Sequence, residues 1–333
     1  MNCILCRTVI RWLSKFSEIR ENHMKTAVRP RTALLLLLIL VVGIALGLLV
    51  ARPLFRDKTS GLNIADPHEG QVQVYDHIGW TWITPLEGVP VNAFAKEEFR
   101  LVDGSPVYYG EQFTALRGVD VSEHQYDIDW KQVADSGVDF AYIRIGRRGY
   151  TEGGLFSDPW FEKNFRGAKE NGLQVGVYFY SQAISPEEAL EEAEFTLNAL
   201  QDRVPDLPIV YDWEYVSNED APIARTRDLD METRTDCAVA FCRRIQDADF
   251  DAAVYFNRQI GYHGYDLSLL TDFDFWFALP MNPPDLCWPS FYYKLDMWQY
   301  SISESVPGIE GPVDMDLIFV PVPSPSDDTA ANN

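Results

Sequence analysis

Histidine is scarce in this chain of 333 residues, which contains only five: His23, His68, His77, His124 and His263. Zinc enzymes usually bind their metal through histidines at characteristic spacings, such as two residues on one face of a helix. The five histidines show no such spacing. The sequence therefore predicts no metal site and disfavours a zinc amidase.

Cysteine is equally scarce, and its five residues do not form the pattern of a disulfide scaffold. Cys3 and Cys6 form a C-x-x-C motif without the second pair that a zinc site of this kind needs. Cys237 and Cys242 lie five positions apart on one predicted helix, so they do not face each other. A pairing of Cys287 with one of them is left open.

Basic residues are rare after position 58, where 18 Lys and Arg stand against 47 Asp and Glu. A protein that binds nucleic acid needs a basic surface to displace counterions, so nucleic acid is not expected as a partner. An acidic surface of this kind suits solubility and a neutral or cationic ligand.

One long hydrophobic run lies near the N-terminus. Residues 33–51 carry no charged side chain and, as a helix, would span about 28 Å, close to the hydrocarbon thickness of a membrane. Seven basic residues precede the run and three follow it, so we expect residues 1–32 to be cytoplasmic and the rest to lie outside. Cleavage as a secretory signal is the alternative, and Met24 is an alternative start to Met1.

Short segments flank the largest part of the chain. Residues 52–70 are predicted to form a stalk, and residues 321–333 a disordered tail. Between residues 71 and 116, short alternating runs and a turn signal at Asp103-Gly104 indicate a small β-rich segment of unknown role.

Strands alternate with helices from residue 117 to residue 320, which is typical of a parallel sheet. Ser185 and Pro186, followed by two acids, predict the start of a helix that ends near Leu200. About eight strands, with fewer helices in the last third, predict an α/β fold of the modified TIM-like β/α barrel type, whose active site lies where strands end. The predicted strands are 118–121, 140–145, 175–180, 207–214, 252–256, 273–279, 294–300 and 313–319.

The most informative pattern is Asp212-Trp213-Glu214, at the end of a predicted buried strand. Side chains alternate along a strand, so the two carboxylates point the same way, roughly 7 Å apart along the backbone. Cleavage of a glycosidic bond needs such a pair, because one acid protonates the leaving oxygen and the other stabilises positive charge or activates water. The spacing leaves inverting and retaining mechanisms open.

Further acids lie in the first and last predicted strands. Asp120 ends the first strand, and Asp314 and Asp316 lie in the last. Because the first and last strands of a closed barrel are neighbours, we expect these acids to face the Asp212 and Glu214 pair across one pocket. His124 could line the same pocket or lie on a surface loop.

Several longer strings occur in a fixed order between residues 117 and 320: RGVDVSEHQ, IDW, FAYIRIG, VGVYFYSQA, LPIVYDWEY, MWQYS and PGIEGPVDMD. In these strings the chain resembles glycoside hydrolase family 25, the muramidases often called Chalaropsis-type lysozymes. The resemblance implies hydrolysis of the β-1,4 bond between N-acetylmuramic acid and N-acetylglucosamine in peptidoglycan. It also implies that neither a metal nor a cofactor is needed.

The resemblance also implies roles for individual residues. Glu214 matches the proton donor of the family, and Asp212 matches the partner that stabilises the charged intermediate, directly or by orienting the acetamido group of the substrate. Asp120 and Asp314 match two flanking aspartates that tune this pair. Sugar contacts are expected from four further residues: Tyr180, Trp276, Trp298 and Gln299.

Two departures from the family pattern lie near the expected groove. The family often has Asn where this chain has Asp316, and the strand FWFALP (275–280) lacks the usual polar residue near its end. These departures concern substrate preference more than chemistry.

The sequence as a whole predicts a membrane-anchored muramidase acting on peptidoglycan glycan strands outside a bacterial cell, with a Gram-positive host expected. The alternative is a catalytically inactive glycan-binding or wall-organising scaffold. The presence of all four carboxylates counts against that alternative, because a binding protein need not retain them.

Overall fold

The computed structural model describes residues 66–216, 223–280 and 287–323. The chain divides into two units, Met1–Pro67 and His68–Asn333, and all elements named below belong to the second. The hydrophobic run 33–51 and the segment 1–32, predicted to be cytoplasmic, lie outside the described residues, as do most of the predicted stalk and tail. Within the described residues, no helix combines the length and apolar character needed to cross a membrane.

Two short β-hairpins open the described part of the chain. Strand β1 (Val72–Tyr75) pairs with β2 (Trp80–Ile83), and β3 (Phe99–Val102) pairs with β4 (Ser105–Tyr108). The second hairpin turns at Asp103-Gly104, where φ is 51° and 89°. Two consecutive residues with positive φ are the geometry of a type I′ turn, so the turn signal in the sequence was correct.

The hairpins pack against the wall of the main domain rather than forming a separate body. The ring of Phe94 lies 4.2 Å from that of Phe319, and the ring of Phe99 lies 5.8 Å from that of Trp298, between ring centroids. The Asn92 side chain donates hydrogen bonds to the carbonyl oxygens of Pro289 and Phe291, both at 2.9 Å. The hairpin segment is therefore held by apolar and polar contacts together.

A closed barrel of eight strands follows. The strands, with the short edge strand β7, are β5 (Phe113–Val121), β6 (Phe140–Arg148), β7 (Leu155–Ser157), β8 (Gln174–Ser181), β9 (Ile209–Trp213), β10 (Ala252–Asn257), β11 (Asp274–Ala278), β12 (Met297–Glu304) and β13 (Val313–Pro321). Their order around the wall is β5-β13-β12-β11-β10-β9-β8-β6, and β6 pairs with β5 to close the ring. The barrel prediction is thus confirmed, although β5 begins at Phe113, four residues before the predicted domain boundary.

The direction of the last strand differs from the parallel sheet that the sequence predicted. Strand β13 runs antiparallel to both of its neighbours, β12 and β5, while the other barrel pairs are parallel. Only residues 305–312 connect β12 to β13. A parallel crossover needs about a dozen residues or more, so this short connection imposes the antiparallel arrangement.

Helices cover the outside of the barrel: α1 (Trp130–Asp135), α2 (Phe161–Glu170), α3 (Pro186–Leu200), α4 (Met231–Gln246) and α5 (Arg258–His263). Helix α3 begins as predicted, with Pro186 in its first turn and the Ser185 hydroxyl accepting the N–H of Glu188. All five helices precede β11, and the described residues after β11 contain no α-helix. The expected shortage of helices in the last third is therefore confirmed.

The described cysteines are unpaired. Cys237 and Cys242 are buried on α4, and Cys287 is also a free thiol. The disulfide left open for Cys287 is therefore not formed.

Aromatic rings fill the lower part of the barrel interior. The buried interior side chains include Phe140 and Tyr142 of β6 and Trp276 of β11. Glycines make room for two of these rings, because a Cβ at Gly118 would lie 2.2 Å from the Phe140 ring and one at Gly176 would lie 2.2 Å from the Tyr142 ring. Above these rings, toward the end of the barrel where β9 stops, the described residues enclose a cavity.

Candidate active site

A cavity of about 220 Å³ opens at the end of the barrel where the parallel strands finish. It is lined by acids, tyrosines and a few other polar groups: Asp120, Ser122, His124, Gln125, Arg144, Tyr178, Tyr180, Asp212, Glu214, Tyr255, Trp276, Gln299 and Asp314. Four of these residues are the carboxylates singled out in the sequence.

Strand β9 places Asp212 and Glu214 on the same side, as the alternation of strand side chains requires. Trp213 between them points outward, is fully buried, and lies 4.3 Å below the guanidinium of Arg234. The strand ends at Trp213, and beyond it the carbonyl of Glu214 accepts a hydrogen bond of 3.0 Å from the buried Gln182 side chain. This bond holds the backbone that carries the Glu214 carboxyl.

Asp120 and Asp314 face each other directly across the β5–β13 pair. Two like charges opposite each other on neighbouring strands repel. The Gln299 side-chain amide relieves this repulsion, because its Nε2 donates to Asp120 Oδ2 at 2.8 Å and to Asp314 Oδ2 at 3.3 Å. The hydroxyl of Tyr255 donates to Gln299 Oε1 at 2.9 Å and so fixes the orientation of the amide. Asp314 reaches the mouth because β13 runs antiparallel to its neighbours and begins there.

All four carboxyl groups have raised pKa values. Burial, followed by the negative charge of Asp314, raises the pKa of Glu214 to about 7. Burial, with repulsion from Asp120, raises the pKa of Asp314 to about 8, and burial raises the pKa of Asp120 to about 6. The pKa of Asp212 is raised well above its ordinary value by burial and then by Glu214 and Asp120. The cluster therefore retains protons near neutral pH.

A fifth acid, Asp316, lies beneath the cavity and is almost completely buried. Its Oδ1 accepts a hydrogen bond of 3.0 Å from Trp276 Nε1, and its carboxyl is also hydrogen-bonded to Asp120. Burial, with repulsion from Asp120 and Asp314, raises the pKa of Asp316 well above its ordinary value. The raised pKa favours the protonated form of Asp316, which can donate a hydrogen bond to Asp120 as an Asn amide at the same position would.

Three of the four expected sugar-contact residues line the cavity, namely Tyr180, Trp276 and Gln299. Trp298 does not. It is fully buried on the outer side of the wall, where its Nε1 donates to the carbonyl oxygen of Leu279 at 3.1 Å. Trp298 lies on the opposite face of β12 from Gln299, because neighbouring residues of a strand point to opposite faces. The prediction of a sugar contact from Trp298 is therefore wrong.

The sequence reasoning missed Arg144, Tyr178 and Tyr255. Alternation along the strands could have identified them. In FAYIRI, Arg144 lies on the same face as Phe140 and Tyr142, which point into the barrel, so the Arg144 side chain points inward as well. Arg144 is neutralised there by Asp158 at 2.9 Å and Glu123 at 2.8 Å. Of the two positions left open for His124, the pocket and a surface loop, the structure shows the first, because His124 lines the cavity.

Comparison with known proteins agrees with this geometry. The family model described as Glycosyl hydrolases family 25 matches residues 119–309, more than half of the chain. The uncharacterized protein YegX of Escherichia coli (strain K12) is 28% identical over 212 residues, covering 61% of this chain and 69% of YegX. The autolytic lysozyme of Clostridium acetobutylicum is 27% identical over 202 residues, covering 60% of this chain and 55% of that protein.

The fold is also found among solved structures. The structure of a family 25 glycosyl hydrolase from Bacillus anthracis covers 72% of this chain and 99% of its own, with a TM-score of 0.51 and 19% identity. At this identity the likeness concerns the fold alone. The family match, the closed barrel and the carboxylate cluster lead to one conclusion: the chain belongs to glycosyl hydrolases family 25 and is a glycoside hydrolase of this lysozyme-like family.

Proposed function

We propose that this protein is a muramidase that hydrolyses the β-1,4 bond between N-acetylmuramic acid and N-acetylglucosamine in bacterial peptidoglycan. The observation that carries the proposal is the pair Asp212 and Glu214, which faces Asp120 and Asp314 in one cavity at the end of the barrel. The autolytic lysozyme relative supports the same substrate class.

Glu214 is the proposed general acid. A pKa of about 7 leaves a large fraction of Glu214 protonated near neutral pH, while the group still releases its proton readily to the leaving oxygen. The hydrogen bond from Gln182 to the Glu214 carbonyl positions the acid. The Gln182 amide is itself held by the Thr226 hydroxyl at 2.9 Å.

Asp212 is the proposed partner in a substrate-assisted reaction. Its buried Oδ1 accepts no hydrogen bond from the described residues. This oxygen suits the N–H of the substrate's acetamido group. The acetamido oxygen then attacks the anomeric carbon as Glu214 protonates the leaving oxygen, and water opens the resulting ring with Glu214 taking back a proton.

Digestion of defined peptidoglycan tests the reaction. Full-length protein is incubated with purified sacculi, and the released fragments are identified by mass spectrometry beside the Glu214→Gln variant. We expect muropeptides with N-acetylmuramic acid at the reducing end from the wild type and none from the variant. Reducing-end N-acetylglucosamine would contradict the bond assignment, and glycan binding without any fragments would favour the scaffold alternative.

We further propose that residues 33–51 anchor the protein in a bacterial cell membrane, with residues 1–32 inside and the barrel outside. The uncharged run and the basic residues before it support this orientation. In this position the enzyme would remodel the wall of its own cell. Protease treatment of intact cells should degrade the barrel. Protection of the barrel would mean the reverse orientation, and a mature protein lacking residues 1–51 would mean secretion.

A further inference from the structure

Two histidines and an aspartate that are far apart in the sequence meet on the surface, away from the catalytic cavity. Asp76 and His77 lie in the turn between β1 and β2, and His263 ends helix α5 of the barrel. His263 Nε2 is 3.0 Å from Asp76 Oδ2, and His77 Nδ1 is 4.0 Å from the same oxygen. One nitrogen or oxygen atom from each residue lies within 4.8 Å of the other two.

The aspartate of this cluster is fixed in place by its own turn. Asp76 is only 3% exposed, and its Oδ1 accepts the backbone N–H groups of Ile78 at 2.8 Å and Gly79 at 3.0 Å. Oδ2 is thereby directed at the two imidazoles, whose ring centroids are 5.7 Å apart. The histidine side chains are 35% and 45% exposed, so an ion can reach them from solvent.

These distances are close to those of a tetrahedral zinc site. With zinc–ligand bonds of about 2.0–2.2 Å, two ligand atoms of a tetrahedral ion lie about 3.3–3.5 Å apart. The distances of 3.0 Å and 4.0 Å to Asp76 Oδ2 fall on either side of this value. All three ligand atoms lie within 4.8 Å of one another, so binding an ion requires the exposed imidazoles to rotate toward it. Two imidazoles with one carboxylate are a donor set that suits zinc and disfavours calcium or magnesium, which prefer oxygen ligands.

An ordinary ion pair explains the cluster less well. The ion pair between Asp76 and His263 needs one histidine, and a second imidazolium beside the same oxygen would repel the first. A metal ion, by contrast, accepts both rings in their neutral form. The nearby Arg258 guanidinium donates a hydrogen bond of 2.8 Å to the Ser290 hydroxyl and lies over the Tyr75 ring. It is not within ion-pair distance of Asp76.

We propose that Asp76, His77 and His263 bind a divalent transition-metal ion, with Zn²⁺ as the best match, and that this ion fastens the β1–β2 hairpin to the barrel. The fourth position of the ion is left for water or a group from outside the chain. The site is separate from the catalytic cavity, and its role is structural.

Zinc titration of the full-length protein tests this site. All proteins carry Cys3→Ser and Cys6→Ser, so that zinc bound by these two thiols does not add to the measured stoichiometry. After chelation and dialysis, calorimetric titration with ZnCl₂ should show one ion per chain and a rise in thermal midpoint. His77→Ala and His263→Ala should each weaken binding by about tenfold or more, since each removes one of three ligands.

The His68→Ala variant is the matched control. His68 stacks on Trp82 of the same hairpin, 4.0 Å between ring centroids, and is not part of the cluster. Its zinc affinity should equal that of the parent. Unfolding without zinc establishes that all variants are folded. Absence of saturable one-to-one binding, or equal affinity in the parent and both cluster variants, would overturn the proposal and leave an ion pair only.

Discussion

Replacing Glu214 with Gln should stabilise the folded protein at alkaline pH while removing its activity. The pKa of this group rises from an ordinary value of 4.5 to about 7 in the folded chain. Each pKa unit corresponds to about 1.4 kcal/mol, so ionised Glu214 costs the folded state at most about 3.5 kcal/mol. Glu214 is only partly enclosed, and solvent screening lowers this to roughly 2 kcal/mol.

The sign of the pH dependence follows from proton binding. Between pH 4.5 and about 7 the folded state binds more protons at Glu214 than the unfolded state. The stabilisation is therefore fully present below pH 4.5, and the free energy of unfolding falls as pH rises through about 7. Gln cannot ionise, so the Glu214→Gln variant lacks this loss.

Thermal unfolding at pH 5 and pH 8.5 measures the effect. The midpoint of Glu214→Gln should exceed that of the wild type by about 4–8 °C more at pH 8.5 than at pH 5, for roughly 2 kcal/mol in a domain of this size. Glu152→Gln is the matched control, because Glu152 is exposed in the turn between β6 and β7 and should show no such difference. If the midpoint difference for Glu214→Gln is equal at both pH values, the proposed burial and repulsion at Glu214 are refuted.

Three further predictions concern the groups around the cavity and the barrel wall. Asp316→Asn should retain most of the wall-lytic activity because an amide donates the same hydrogen bond, whereas Asp316→Leu should lower it by about tenfold; equal losses would contradict a protonated Asp316. Arg148→Ala should cost about 3–5 kcal/mol in denaturant unfolding, because it leaves the buried Glu192 without the guanidinium that lies 2.7 Å away. Adding Glu192→Ala should restore part of that stability. Gly176→Ala should lower the thermal midpoint by placing a Cβ against the Tyr142 ring, at a cost of about 1–3 kcal/mol; an unchanged midpoint would mean that the ring has room to move.

Much of the local structure was readable from the sequence. The start of helix α3 at Pro186, the turn at Asp103-Gly104 and the shared face of Asp212 and Glu214 were all correct. Each depends on residues within a few positions of one another, whose backbone preferences are set by capping, turn chemistry and strand alternation. Alternation also implies that Trp298 points to the outer face of β12, since its neighbour Gln299 points into the cavity.

Other features could not be read in this way, because they depend on pairings between distant segments. Asp120 and Asp314 face each other because β13 runs antiparallel to β5. The short connection before β13 sets this direction, but its effect on the acids arises only when β13 pairs with β5 and closes the barrel. The raised pKa of Asp316 depends on its burial and on its closeness to Asp120, which lies on the neighbouring strand β5, and to Asp314.

The barrel, its local elements and the catalytic strand could be predicted from the sequence, because strand alternation, helix capping and the family motifs depend on residues that are neighbours in the chain. The bridge from Gln299 to Asp120 and Asp314, and the contact between His77 and His263, became visible only in the folded chain. Burial, charge repulsion and ligand geometry act through space, and they exist only once the folded chain has brought these groups together.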